Sequence, residues 1–397
     1  MNKGRLSSAQ LLESALQPFE DKLRAQEKFR RRLGVKQVDR PTYDRYITGP
    51  IERINSLRNA FLRDHRDNPY ADGFPERFKE RTGFDSYRDE LPLSQLDRED
   101  RIAVSMNKAT MRICREYEPH PVPVPPSEDA VEVDSPEKMA RLVKKVALFY
   151  GAAIVGIAKL DQRWVYADKQ VPEKYAIVVG VTHALSFCRT APSFVSAVAV
   201  MDVYSRLKYI TTQLSDFIRG MGYPAFYRET LGMNPDLLMV PVALDAGIGE
   251  FARTCGVLTP EFGIDLRIKA VTTDLPLAVD RPISFGAHEF CMVCEICAQN
   301  CPARAIPFGP PTDPPASVSH NPGFRKWFIQ AEKCLTFWGI NKKKWTQCGA
   351  RCIAACPWNK PLSAWHNTVR WMAVHGNPQV KKLLVAGDQR FFPKSVD

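Results

Sequence analysis

The chain has 397 residues, 45% hydrophobic and 25% charged, with a formal charge of +11. That is a globular composition, long enough for more than one average domain and for a sizeable core, and it excludes a disordered or fibrous chain. No stretch approaches the roughly 18 consecutive apolar residues of a membrane span. Arg30, Arg31 and Arg32 precede polar sequence instead of the apolar run of an export signal, so a cytoplasmic protein, or one whose leader is already absent, is expected.

Residues 1–134 are charged and interrupted by Pro and Gly, with helical patterning at Ala9–Phe29, Ile51–Phe61 and Arg101–Cys114. They read as a helical arm ending in a linker, because Pro119, Pro121, Pro123, Pro125 and Pro126 favour an extended chain. From Ser135 the pattern alternates helix and strand, and residues 135–285 are expected to form the core. Ser135 and Pro136 start a helix with Met139, Leu142, Val143, Val146 and Ala147 on one face. Ala153–Ala158 and Tyr175–Val181 read as buried strands, and Leu266–Thr272 as a third. Pro192–Arg219 is a long amphipathic helix closed by Gly220-Met221-Gly222. In Ala246-Gly247-Ile248-Gly249-Glu250 the two glycines permit close backbone approach or positive φ.

Residues 286–360 carry the most specific signal. Cys291, Cys294, Cys297 and Cys301, followed by Pro302, form the Cys-x2-Cys-x2-Cys-x3-Cys-Pro run of bacterial four-iron, four-sulfur sites. In that pattern the fourth cysteine serves a second cluster, and Cys334, Cys348, Cys352 and Cys356 before Pro357 supply the other set. The crossover assigns Cys291, Cys294, Cys297 and Cys356 to cluster one, and Cys301, Cys334, Cys348 and Cys352 to cluster two. Zinc or disulfides do not explain three close cysteines plus Cys-Pro occurring twice. Cys114, Cys188 and Cys255 are left as buried apolar thiols. Anionic clusters also account for a basic protein, although +11 alone admits nucleic acid. Lys342-Lys343-Lys344 offers either a docking patch for an acidic donor or a solvated loop. Residues 361–397 are expected to be a tail packed on the core.

The succession Arg163-Trp164-Val165-Tyr166, Tyr204-Ser205-Arg206, Ala246–Glu250, Pro260-Glu261-Phe262-Gly263, Asp274-Leu275-Pro276-Leu277 and the two cysteine sets resembles the corrinoid-dependent reductive dehalogenases over about residues 135–370, the tetrachloroethene enzymes above all. The resemblance implies an α+β fold, in which a nitroreductase-like core binds a base-off cobalamin-type corrinoid and carries a ferredoxin-like two-cluster domain. No Asp-x-His-x-x-Gly signature is present, so no protein His is expected on the lower cobalt face. It also implies that Tyr204 is the proton donor to carbon, with Arg267 as its cationic partner, since a fixed cation beside a phenol favours phenolate. Asn234 and Trp338 are implied in the substrate pocket, and Gly247, Gly249, Phe262 and Gly263 around the corrinoid.

Several positions depart from the tetrachloroethene enzymes. Val200 stands where they carry Thr, Gln347 replaces an aromatic, and Cys348 and Cys352 are one residue further apart. These changes bear on substrate choice and leave the reaction class intact. Implied partners are a small organohalide and an external low-potential electron donor such as a ferredoxin, flavodoxin or reductase. No nucleic acid and no membrane span are expected, and the oligomeric state is left open, a homodimer included. The alternatives are an epoxyqueuosine reductase-like enzyme acting on transfer RNA and a non-catalytic ferredoxin-type carrier.

Overall fold

The computed structural model describes residues 7–63, 68–74, 97–98, 100–106, 130–228, 235–340 and 350–391. Helix α1 (Ser8–Leu33) starts in a capping box, in which the Ser7 hydroxyl accepts from the Gln10 backbone and the Gln10 side chain accepts from that of Ser7. It ends at Gly34 in the left-handed conformation, with Arg30, Arg31 and Arg32 in the last turn, where cations suit the helix dipole. Helix α2 (Pro136–Phe149) begins at the cap Ser135 with Pro at its start, as its sequence predicts, and buries Met139, Val143, Val146 and Ala147.

A four-stranded antiparallel sheet forms the centre, in the order β1 (Ile154–Lys159), β2 (Tyr175–Val181), β4 (Arg267–Thr273), β3 (Ala225–Arg228). Side chains alternate across the sheet. Val155, Ile157, Ile177, Val179 and Val271 face one core with α2 and the long helix α3 (Phe194–Gly220). Ile154, Ala158, Ala176, Val178 and Ala270 face the other, with helix α4 (Met239–Asp245) and Trp164. Burial on both faces is why the strands read as continuous apolar runs. In register, Val181 pairs with Arg267, so the first residue of β4 sits at the end of the sheet beneath α3.

The cysteine-bearing segment follows as short helices α5 (Ala287–Val293), α6 (Ile296–Gln299), α7 (Ala331–Ile340) and α8 (Arg351–Ala355). Two expectations, the helix at Ile51–Phe61 and the burial of Cys255, need correction. Ile51–Phe61 is not a helix. It holds one 3₁₀ turn, Ser56–Arg58, because Asn55 caps Leu57 while the Ser56 backbone and hydroxyl bond to Asp168, 2.6 Å each. The C-terminal tail forms helices α9 (Ala364–His375) and α10 (Pro378–Phe391), whose Ala373, Val374, Leu384 and Val385 share an apolar cluster with Phe29, Phe290 and Cys291 and with Ala252, Leu258, Ile264 and Ile283 of the core segment. Cys255 is only half-buried, at φ 57°, whereas Cys188 is fully buried. The Pro119–Pro126 linker, Cys114 and Lys342-Lys343-Lys344 lie outside the described residues. Among the described residues, no helix is long and apolar enough to cross a membrane.

Candidate active site and cluster cradle

Seven of the eight motif cysteines are described, and Cys348 lies outside the described residues. Cys291 is on α5, Cys294 caps it in extended conformation, Cys297 is on α6, Cys334 on α7 and Cys352 on α8, while Cys356 ends α8. None is bridged. Cys291, Cys294 and Cys356 share an apolar cluster with Phe290, Ile296 and Trp358. Cys301 shares another with Cys297, against which Cys334 and Cys352 pack.

Burial, reinforced by the neighbouring thiols Cys291, Cys294, Cys356 and Cys352, pushes the Cys297 thiol far up. Burial likewise raises Cys291 and Cys334 to about 12 and Cys352 to about 11. Bare thiolates are costly in such surroundings, and metal coordination is what deprotonates buried cysteines. The donor set therefore fits two iron–sulfur clusters. The Ala305 backbone already donates to Cys301 Sγ at 3.3 Å, the kind of bond that tunes a cluster sulfur.

Above the second set lies a cavity of about 240 Å³, whose walls include Cys301, Cys334 and Cys352 together with Arg267, Trp338 and Leu266. Arg267 lines this cavity, and Tyr204, which is not among the lining residues, contacts Arg267. Arg267 Nε donates to the Tyr204 hydroxyl at 3.2 Å, and the guanidinium carbon stands 5.8 Å from the ring centre. Burial opposes the Arg267 charge, but Tyr204, Cys352 and Cys188 outweigh it and hold its pKa above the usual guanidinium value. Trp338 is 6% exposed and closes the wall beside Cys334. Val200 is fully buried one helical turn before Tyr204, in an apolar cluster with Cys188, Met201 and Ala350. Asn234 and Gln347 lie outside the described residues.

Beside this pair is a dyad that sequence reasoning missed. His183 Nδ1 lies 2.7 Å from Asp265 Oδ1, the His183 backbone donates to the same oxygen at 3.0 Å, and among the described residues His183 Nε2 has no partner. Burial lowers the His183 pKa, Asp265 opposes that, and Arg267 adds to it. His183 is thus biased towards its neutral form next to the Tyr204–Arg267 pair. Asp265 is two residues before Arg267, on the segment already singled out, but no local pattern tied it to a His 82 positions upstream.

A Cβ on Gly247, at φ 66°, would lie 2.4 Å from the Arg281 carbonyl oxygen, and one on Gly249 would lie 2.2 Å from that of Leu258. Gly263, at φ 60°, would meet Asn359 Oδ1 at 2.0 Å. The protein's own atoms already require glycine at all three positions. Phe262 packs half-buried against the core beneath the sheet.

The cavity walls are mostly apolar and carry two guanidinium side chains, Arg267 and Arg351. Its volume is under the roughly 300 Å³ at which drug-sized sites begin. As it stands it takes a small organic molecule or one edge of a macrocycle.

Residues 290–360 match the 4Fe-4S dicluster domain family. The chain is 33% identical over 293 residues, 60% of its length, to the tetrachloroethene reductive dehalogenase of Dehalobacter restrictus. It is 30% identical over 279 residues, 61% of its length, to that of Sulfurospirillum multivorans. It spans about half the length of these relatives, 51% and 54%. The catabolic reductive dehalogenase NpRdhA superposes with a TM-score of 0.73 at 24% identity, over 90% of this chain and 48% of that one. The resemblance drawn from the motifs thus holds in sequence, and the mixed helix and strand architecture in fold.

Proposed function

We propose that this chain catalyses reductive dehalogenation of a small organohalide, in a nitroreductase-like core supplied with electrons by two 4Fe-4S clusters. The observation that carries the reading is the Tyr204–Arg267 contact, with Arg267 lining a cavity whose walls also hold the cluster-two cysteines Cys301, Cys334 and Cys352. A candidate proton donor thereby stands one side chain away from the space beside the end of the electron path. The overall change consumes two electrons and a proton, converting a carbon–halogen bond to carbon–hydrogen and releasing halide.

Arg267 Nε donates to the Tyr204 oxygen, which leaves the hydroxyl's own proton for another acceptor. Once that proton is given to carbon, Arg267 supplies the compensating charge in place. Trp338, Leu266 and the other apolar walls exclude water, which would compete as proton source. Cys301, Cys334 and Cys352, which line the cavity, would hold cluster two there, and the cluster would supply electrons close to the substrate. A corrinoid, when bound against Leu266, Trp338 and Arg267, supplies the electron-rich metal centre that breaks the carbon–halogen bond. The electron donor in this account is an external low-potential carrier.

The test is anaerobic reconstitution with iron, sulfide and cobalamin, followed by halide measurement with reduced methyl viologen and a panel of chlorinated and brominated compounds. Corrinoid-dependent halide release is expected. A chain that takes up both cofactors and releases halide from no member of the panel contradicts the assignment.

A further inference from the structure

Arg253 is fully buried. Its Nε donates to the carbonyls of Cys294 at 3.0 Å and Cys291 at 3.2 Å, and Nη2 donates to that of Cys291 at 2.7 Å. Nη1 donates to the Pro307 carbonyl at 2.9 Å and the Gly309 carbonyl at 2.8 Å, and the guanidinium lies 4.8 Å from the Trp327 ring centre. All these acceptors are neutral. The carboxylate nearest by contact, Glu295, is 3.6 Å away, about one-third exposed, and already accepts from the Gly309 backbone at 2.7 Å.

A second guanidinium repeats the arrangement on the other side of the same ligand set. Arg370 is 3% exposed and donates to the carbonyls of Trp358 at 3.1 Å, Pro361 at 3.4 Å and Lys360, and to Asn367 Oδ1 at 3.0 Å. Again no carboxylate is among its acceptors. These carbonyls follow Cys356 by two to five residues. Of the other acids nearby, Glu261 is engaged by Arg30 at 2.6 Å, and burial raises the pKa of Glu250 and favours its neutral form.

Among the described residues the single carboxylate paired with Arg253 is Glu295, at 3.6 Å and about one-third exposed, and burying a guanidinium with so little counter-charge is unfavourable. Two such cations flank Cys291, Cys294 and Cys356, and a cluster with four thiolate ligands is the anion that would balance them. Reduction adds a further negative charge to that cluster, and an adjacent cation in a dry environment favours the reduced form. We propose that Arg253, with Arg370, sets the reduction potential of the cluster held by Cys291, Cys294, Cys297 and Cys356, acting as its buried counter-charge while fixing the carbonyls of two ligands. The inference rests on the two-cluster reading above.

The competing account is a tether only, in which five hydrogen bonds hold the loop and the charge is incidental. Redox titration of the reconstituted full chain, followed by electron paramagnetic resonance, separates the two. In Arg253→Met one of two midpoints should fall. At the wild-type midpoint its reduced-to-oxidised ratio should drop at least about tenfold, about 59 mV for a one-electron couple. The other midpoint should stay, and Arg253→Lys should restore most of the loss. Unchanged midpoints with both clusters retained overturn the proposal, as does an Arg253→Lys midpoint as low as that of the Met variant.

If Arg253→Met loses half its iron, Arg370→Met decides. A lowered midpoint there supports the proposal and an unchanged one overturns it. A wild type that takes up no iron or sulfide is distinguishable from all of these, and it removes the cluster reading together with the inference.

Discussion

Asp245, the last residue of α4, accepts from the Tyr43 hydroxyl at 2.5 Å and from Trp164 Nε1 at 2.9 Å, with Tyr43 and Trp164 1% and 2% exposed. Burial raises its carboxyl pKa from 3.8 to about 6, against the pull of those two hydrogen bonds. The unfolded chain releases this proton near pH 4 and the folded chain near pH 6. Between the two the folded state binds more protons, so the Asp245 contribution to stability falls as pH rises through that window. The shift corresponds to a penalty on the order of 3 kcal/mol above pH 6.

Asp245→Asn removes the charge and keeps the shape. Its carbonyl can accept from Trp164, and its amide can donate to the Tyr43 oxygen, since burial raises the Tyr43 pKa and keeps that hydroxyl protonated. Unfolding midpoints in urea, followed by tryptophan fluorescence from pH 4 to pH 8, should show the variant gaining on wild type as pH rises. The gain should reach up to about 3 kcal/mol at pH 8 and vanish near pH 4. A difference that does not change with pH, or a variant less stable at pH 8, refutes the reasoning.

Other perturbations test the frame around the site. Arg30→Ala leaves the Glu261 carboxylate, 2% exposed, without its cation; it should cost about 3–5 kcal/mol, seen as a lowered thermal midpoint and early proteolysis of α1. Gly263→Ala forces a side chain into positive φ and onto Asn359, which also bonds the Ile264 backbone at 2.9 Å and the Ile353 carbonyl at 2.8 Å. The backbone strain alone is about 1–3 kcal/mol, and both iron uptake and thermal midpoint should fall. Val200→Thr puts a hydroxyl in a fully apolar neighbourhood, at a cost of about 1–3 kcal/mol in urea unfolding, less if the hydroxyl bonds back to the Ser196 carbonyl one turn earlier.

What the sequence made legible follows from how local each signal is. Tyr175–Val181 was readable at its observed bounds because both faces are buried and the run is continuously apolar. The α2 start was readable from Ser135 and Pro136, and the cluster ligands from spacing alone, since one tight loop must present three thiolates. Ile51–Phe61 misled because its apolar spacing suits a helix, while its backbone is claimed by Asp168, more than a hundred residues away. Separations of 82 residues hid His183 with Asp265, and of 38 and 41 residues Arg253 with the carbonyls of Cys291 and Cys294. Gly247, Gly249 and Gly263 announced close approach correctly in kind, but sequence does not say whether a ligand or the chain itself comes close.

The central claim is that Tyr204, held by Arg267, delivers the proton that completes carbon–halogen reduction. The most direct measurement is halide release by Tyr204→Phe, reconstituted with iron, sulfide and cobalamin beside the wild type, with iron content and corrinoid absorbance recorded on the same samples. The account predicts equal cofactor loading and a loss of at least about a hundredfold in rate. Wild-type halide release by a fully loaded Tyr204→Phe would contradict it.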